Sequence, residues 1–168
     1  TIQDFAILAP ILADKNHPNY SQVITTVESI LSEKGVEILG TDDTLKDLNT
    51  SEKIDSEDVW YEEFLAMKAV IGAVDGLDGA IEFINKYSGG HSNIILTETK
   101  DDADAFMQQI DSAAVYHNAS TRFTDGGQMG VGAELAISTD KLHHRGPLGL
   151  KQLTTNKYYV LGDGHIRA

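Results

Sequence analysis

Apolar residues recur along this chain with two different periods, and the switches between them divide it into elements. After Asn19 or Ser21, either of which can cap a helix, Val23, Ile24, Val27, Ile30 and Leu31 follow the spacing of one helical face, and Gly35 is placed to end it. Residues 36–39 are a short apolar run suited to a buried strand, closed by Gly40. Residues 41–58 lose the periodicity and are rich in Asp, Ser and Thr, which predicts a long surface connection. After Met67 the pattern becomes regular. Residues 69–74 predict a buried strand, Asp75-Gly76 a turn, and Ala80, Ile81, Phe83, Ile84 and Tyr87 the apolar face of a helix that Gly89-Gly90 stops. Residues 93–97 predict a second strand. Thr99-Lys100-Asp101-Asp102 forms an acidic variant of a capping box before a helix with Ala103, Phe106, Met107 and Ile110 inward, and residues 113–117 predict a third strand. Strand, helix, strand, helix, strand at these spacings is the signature of an α/β fold, a largely parallel sheet with flanking helices and right-handed crossovers.

Beyond His117 the character changes, because residues 126–164 hold 8 of the 15 glycines, a density that marks sharply turning or closely approached backbone. Residues 157–161, with Tyr158, Tyr159 and Val160, predict a late strand near the carboxyl end, its partner either another subunit or another part of the same domain.

Composition narrows what such a fold does. At 168 residues the chain suits one domain, at most with an appendage. It has no Cys, so it makes no disulfide, no thiolate metal site and no cysteine nucleophile of its own, and a cytoplasmic location is expected. A formal charge of -13 argues against nucleic acid and against anionic membranes as partners. No run of 18 apolar residues occurs, and Thr1-Ile2-Gln3-Asp4 does not resemble a signal peptide; without an initiator Met, residue 1 is not expected to be where the natural gene begins. The acids are unevenly placed: residues 42–104 hold 16 Asp and Glu against 5 Lys, and residues 105–168 hold 5 against 6 Lys and Arg, so an anionic ligand should prefer the last third.

Ligands of open α/β sheets commonly bind beyond the carboxyl ends of strands, which directs attention to residues 118–127 after the third strand. There Asn118, Ser120, Thr121 and Arg122 offer amide, hydroxyl and guanidinium donors to a carboxylate or phosphate, or else form a loop bonded to itself. The glycines at 126, 127, 130 and 132 do not make a dinucleotide fingerprint, and His143-His144 lacks the companions of a metal site. Asn118-Ala119-Ser120 and Asn49-Thr50-Ser51 match the short glycosylation pattern, which chance explains. Trp60-Tyr61-Glu62-Glu63-Phe64 places aromatic residues beside carboxylates, as a cofactor edge or a core anchor.

The run from Asp111 through Tyr116-His-Asn-Ala-Ser-Thr-Arg-Phe-Thr-Asp-Gly-Gly127, then Gly130 to Glu134, Ile137-Ser-Thr139, Leu142-His143, Arg145-Gly-Pro147 and Gly149-Leu150, resembles the carboxyl-terminal part of γ-glutamyl phosphate reductases, also called glutamate-5-semialdehyde dehydrogenases, in the aldehyde dehydrogenase superfamily. Tyr158 to Gly164, Trp60-x-x-Glu63-Phe64-Leu65, residues 78–87 and His91-Ser92 resemble them too, whereas Phe83, Gly89 and Asn93 depart from the family pattern. The resemblance implies an aldehyde-dehydrogenase-like catalytic-domain portion over residues 1–150, a carboxyl-terminal strand and oligomerisation segment over 151–168, and an amino-terminal nucleotide-binding domain that lies outside this sequence. It implies NADPH-dependent reduction of L-glutamyl 5-phosphate to L-glutamate 5-semialdehyde in proline biosynthesis. The family's nucleophilic Cys sits in a Cys-Asn-Ala-x-Glu-Thr segment that this sequence lacks, so no catalytic residue is expected here and the chain alone should be inactive. By the same resemblance Glu63 contacts the cofactor's nicotinamide ribose, and Asn118, Ser120, Thr121 and Arg122 anchor the substrate's distal end. The implied partners are the small-molecule substrate, the nucleotide-binding domain and a second copy joined through the late strand. A different role, as an assembly or regulatory module that binds a full-length relative, is the alternative.

Overall fold

The structure is a computed structural model that describes residues 10–49, 52–132, 136–141 and 143–167. Thr1 to Asp4, Thr50 and Ser51, Glu134 and Leu142, all used above, lie outside the described residues. The chain divides into two compact units, with the boundary between Thr121 and Arg122.

The first unit is built around a four-stranded parallel sheet in the order β1-β4-β2-β3. Its strands are β1 (Ile11–Asp14), β2 (Glu37–Gly40), β3 (Glu52–Lys53) and β4 (Lys68–Val74). The position of β4 explains its sequence. It is paired on one edge to β1, with Ile11 opposite Ile71, and on the other to β2, with Leu39 opposite Val70. A strand enclosed on both edges and both faces reads as a continuous apolar run, and Ala69, Val70 and Ile71 are at most 1% exposed. The period of two then sorts side chains between two cores. Ile71, Ile38 and Ala13 meet Ile24, Val27 and Leu31 of helix α1 (Tyr20–Glu33), while Val70 and Leu39 meet Trp60 together with Phe83 and Tyr87 of helix α2 (Gly76–Tyr87).

Helix α2 has a second apolar stripe. Leu77, Ile81 and Ile84 pack with Phe106 and Ile110, at the end of helix α3 (Lys100–Gln109), and with Ile95 and Val115 of strands β5 (Ser92–Ile95) and β6 (Ala114–His117). Strands β5 and β6 pair in parallel with each other, as a separate two-stranded sheet. The parallel α/β reading holds, and the expectation of one continuous run of strands is corrected. Both edges of β4 are already occupied, so the strand that α2 delivers finds no place beside it.

Local expectations are corrected in two further places. The Thr99 hydroxyl makes no capping bond, and its own N–H instead donates to Thr97 Oγ1 at 3.1 Å. Met107 stands on an exposed flank of α3. The connection after β2 is tied down by buried polar groups: Thr44 donates to the Ile71 carbonyl at 3.0 Å and accepts from Thr41 N–H at 2.9 Å, and the Glu28 carboxylate accepts the Asn49 N–H at 2.7 Å. Burial of such groups is tolerated because each is bonded.

In the second unit, β7 (Ala136–Ser138) and β8 (Gly146–Leu148) form an antiparallel pair, followed by a 3-10 turn at Leu150–Leu153. Residues 157–161 form no strand within the chain, and Tyr158, Tyr159, Val160 and Leu161 are 78–96% exposed. The pairing of that run inside the domain, one of the two options its sequence allows, is not made among the described residues.

Gly72 gives a direct test of the packing. A Cβ there would lie 3.0 Å from the Trp60 ring and 3.2 Å from Leu12 Cδ2, so Gly72→Ala is expected to cost about 1–3 kcal/mol of stability, measured by urea unfolding. An unchanged midpoint would mean that the ring is free to move.

Candidate functional site

The carboxyl end of β6 turns sharply. Asn118 adopts a left-handed backbone with φ 48, a conformation that Asn tolerates better than most residues, while its N–H still donates to the Ile95 carbonyl at 3.0 Å. Its carboxamide faces the peptide of Thr97: Nδ2 donates to the Thr97 carbonyl at 2.8 Å, and Thr97 N–H donates to Oδ1 at 3.1 Å. His117 Nε2 lies 3.0 Å from the same carbonyl, which requires a proton on that nitrogen for a bond to form. Three residues on, the buried Tyr116 donates its hydroxyl to the Thr121 carbonyl at 3.0 Å. The chain then enters a 3-10 turn at Thr121–Phe123. Ser120, Thr121 and Arg122 are exposed within this one continuous stretch. The structure therefore keeps Asn118, Ser120 and Thr121 together at the end of the first unit, and Arg122 opens the second. The Asn118 amide is spent on the backbone.

Glu63 belongs to a different place. It precedes β4 of the four-stranded sheet, in the segment after the 3-10 turn Glu57–Tyr61, while residues 118–122 follow β6 of the two-stranded sheet. The segment is held from both ends of its short span. Trp60 is buried against Phe83 at 4.8 Å in an edge-to-face contact, and Phe64 packs on the same cluster. Glu57, Lys86 and Tyr87 form a closed polar triad, in which Lys86 Nζ donates to Glu57 at 2.7 Å and to Tyr87 Oη at 2.6 Å, and Tyr87 Oη donates to Glu57. Bonds to Lys86 and then Tyr87 hold the Glu57 carboxyl below its ordinary range, and the bond to Glu57 raises Lys86. Glu63 itself is exposed and makes no hydrogen bond or ion pair among the described residues.

Beside this segment opens a cleft of about 520 Å³, lined in part by Leu39, Ile54, Asp58, Tyr61, Glu62 and Lys68. Its two ammonium groups are already committed, Lys53 to Asp42 at 2.6 Å and Lys68 to Glu37 at 2.7 Å. Such a wall accepts hydroxyl donors and repels phosphate. Among the described residues no cluster of His, Asp and Glu is placed to hold a metal ion, and no helix is long and apolar enough to cross a membrane. His144 instead engages the Pro147 carbonyl at 2.8 Å.

Sequence reasoning missed Tyr116 and Thr97 as supports of the turn. Tyr116 carried a usable signal, an aromatic hydroxyl at an inward strand position, but its partner is a backbone carbonyl that no side-chain pattern marks. Strand β1 also went unread, since four residues next to an uncharacteristic stretch carry little periodicity.

A parallel sheet with helices on both faces defines an α/β domain. No family model matches the chain. It is 53% identical over 137 residues to the gamma-glutamyl phosphate reductase of Kosmotoga olearia, covering 82% of this chain and 33% of that protein. Against the enzyme of the same name from Dictyoglomus turgidum the identity is 49% over 152 residues, covering 90% and 36%. The crystal structure of the Thermotoga maritima gamma-glutamyl phosphate reductase superposes with a TM-score of 0.84 at 44% identity, covering 95% of this chain and 38% of that one. The chain belongs to the gamma-glutamyl phosphate reductase family and spans about a third of the length of these relatives, a share that fits a carboxyl-terminal portion.

The polar triad has a pH signature. A carboxyl whose folded pKa is depressed adds stability above its ordinary range and loses it as pH falls through the folded value. The urea midpoints of wild type and Glu57→Gln should thus differ most at neutral pH and converge on acidification. A gap that is constant with pH would show that the Glu57 charge is not what binds the turn to α2.

Proposed function

We propose that this chain is the carboxyl-terminal catalytic-domain part of a reductase that converts L-glutamyl 5-phosphate to L-glutamate 5-semialdehyde in proline biosynthesis, with NADPH as cofactor. The observation that carries the reading is the 53% identity over 137 residues to a relative named for that reduction. The exposed Ser120, Thr121 and Arg122 support it on chemical grounds. A guanidinium takes the substrate's carboxylate in two parallel bonds, and the adjacent hydroxyls complete the anchor. Asn118 contributes by shaping the turn.

Glu63 suits the cofactor's ribose. An exposed carboxylate accepts two hydroxyls, and the neighbouring acidic cleft favours the sugar over the phosphates, which must be held elsewhere. When bound, NADPH supplies the hydride that reduces the acyl carbon. This chain holds the substrate's far end and orients the ribose; the thiol that the family chemistry requires is absent from its 168 residues. The exposed run Tyr158 to Leu161 supports pairing with a second copy of the enzyme.

The test is the reverse reaction, phosphate-dependent reduction of NADP⁺ by glutamate 5-semialdehyde. The 168-residue chain should be silent, and the same chain extended through the cysteine segment and nucleotide-binding domain should turn over. In the extended enzyme Arg122→Ala should raise the semialdehyde KM about ten- to hundredfold, the scale of a lost charge-assisted pair, and Glu63→Gln should raise the KM for NADP⁺ instead. Turnover by the 168-residue chain would overturn the cysteine requirement.

A further inference from the structure

We infer that Tyr116 and Asn118 are positioning residues, which hold the backbone of the substrate turn at its exit and entry without touching the ligand. The inference rests on the reading of Ser120, Thr121 and Arg122 as the substrate anchor. It starts from the way β6 ends. The ladder between β5 and β6 closes at the pair Ile95 and His117, and the backbone then leaves the sheet through the left-handed Asn118. A turn that departs from a sheet at its last rung would ordinarily leave the next peptide of the neighbouring strand, that of Thr97, without a backbone partner. The Asn118 carboxamide fills that place. It carries one acceptor and one donor in the plane of an amide, as a peptide does, and it meets both Thr97 N–H (3.1 Å) and the Thr97 carbonyl (2.8 Å). Glycine would supply the conformation without the rung, and most other residues neither.

The exit is held from inside the fold. Tyr116 is 8% exposed, with its ring in the interior, and its hydroxyl bonds the Thr121 carbonyl at 3.0 Å. Only Ala119 and Ser120 therefore run between the two fixed points, Asn118 and Thr121, and Ser120 and Thr121 are exposed. Surface hydroxyls on an untethered loop lose rotational and backbone freedom on binding, and a loop already fixed loses less. The role of the two residues is to remove that cost in advance.

The complete reductase that contains this segment separates positioning from contact. Tyr116→Phe deletes a buried bond with no change of surface, and Asn118→Gly keeps the left-handed backbone while deleting the rung. Each is expected to raise the semialdehyde KM about five- to tenfold, with kcat and the KM for NADP⁺ within about twofold of wild type. In the 168-residue chain, hydrogen exchange at the Thr97 amide should quicken at least about tenfold in Asn118→Gly and stay unchanged in Tyr116→Phe. If Asn118→Gly raises the KM and Tyr116→Phe does not, Asn118 contacts the substrate and the inference is overturned. If Thr121→Ala and Arg122→Ala leave the KM unchanged, the substrate reading fails. If those two raise it and neither positioning variant does, the inference alone fails.

Discussion

Everything in the first unit is arranged around the enclosure of β4. Once Ala69, Val70 and Ile71 are shut off from water on both faces, each of their backbone polar groups must be paired within the sheet, and β1 and β2 meet that demand on the two edges. The faces must then be covered as well. Helix α1 covers the Ile71 side through Ile24, and Trp60 with Phe83 covers the Val70 side. With both edges of β4 filled, β5 pairs with β6 in a second, smaller sheet, and the polar turn follows β6.

The two expected ligand positions inherit this separation. Glu63 is held through Trp60, Phe64 and the Glu57, Lys86 and Tyr87 triad, which joins a 3-10 turn to a helix about 30 residues away by bonds whose partners all lie near the surface. The polar turn is held through Tyr116 and the rung at Asn118, on elements whose core is Ile81, Phe106 and Ile110. Helix α2 is the one element common to both supports. Phe83 and Tyr87 face the Trp60 cluster, and Ile81 faces the Phe106 cluster. Its two apolar stripes therefore join the Trp60 cluster to the Phe106 cluster.

Those stripes were legible because helix periodicity is long and redundant. Five apolar positions between Ala80 and Tyr87 determine a face even if one of them is wrong. The same redundancy made β4 readable. What could not be read has a common cause. β1 is four residues long, and β3 is two, Glu52 and Lys53, with no apolar side chain; both exist because β4 and β2 offer open edges, which is a property of the assembled sheet. The Thr99 capping box failed for a similar reason, since the hydroxyl of Thr97 reached the Thr99 amide first. The candidate site was legible as a set of residue types, and which of them bond the backbone was not. Asn118, Ser120 and Thr121 are equally polar in the sequence, and only the left-handed turn reveals that the first of them is already bonded to Thr97.

Bonded polar groups extend this logic through the rest of the unit. Asp14 at the end of β1 accepts the N–H of Gly76, the first residue of α2, at 2.9 Å, and Thr44 reaches the Ile71 carbonyl from a connection rich in acids. In each case a short side chain joins backbone far away in sequence, and in each case the pairing removes that residue from the pool available to a ligand. An acidic chain of this kind can hold many carboxylates and still present few binding groups. Asp14, Glu28 and Glu57 support the backbone or a neighbouring helix, whereas Glu63 has no such partner among the described residues. Glu63 is thereby a carboxylate that the fold leaves unengaged, on a segment fixed at Trp60 and Phe64.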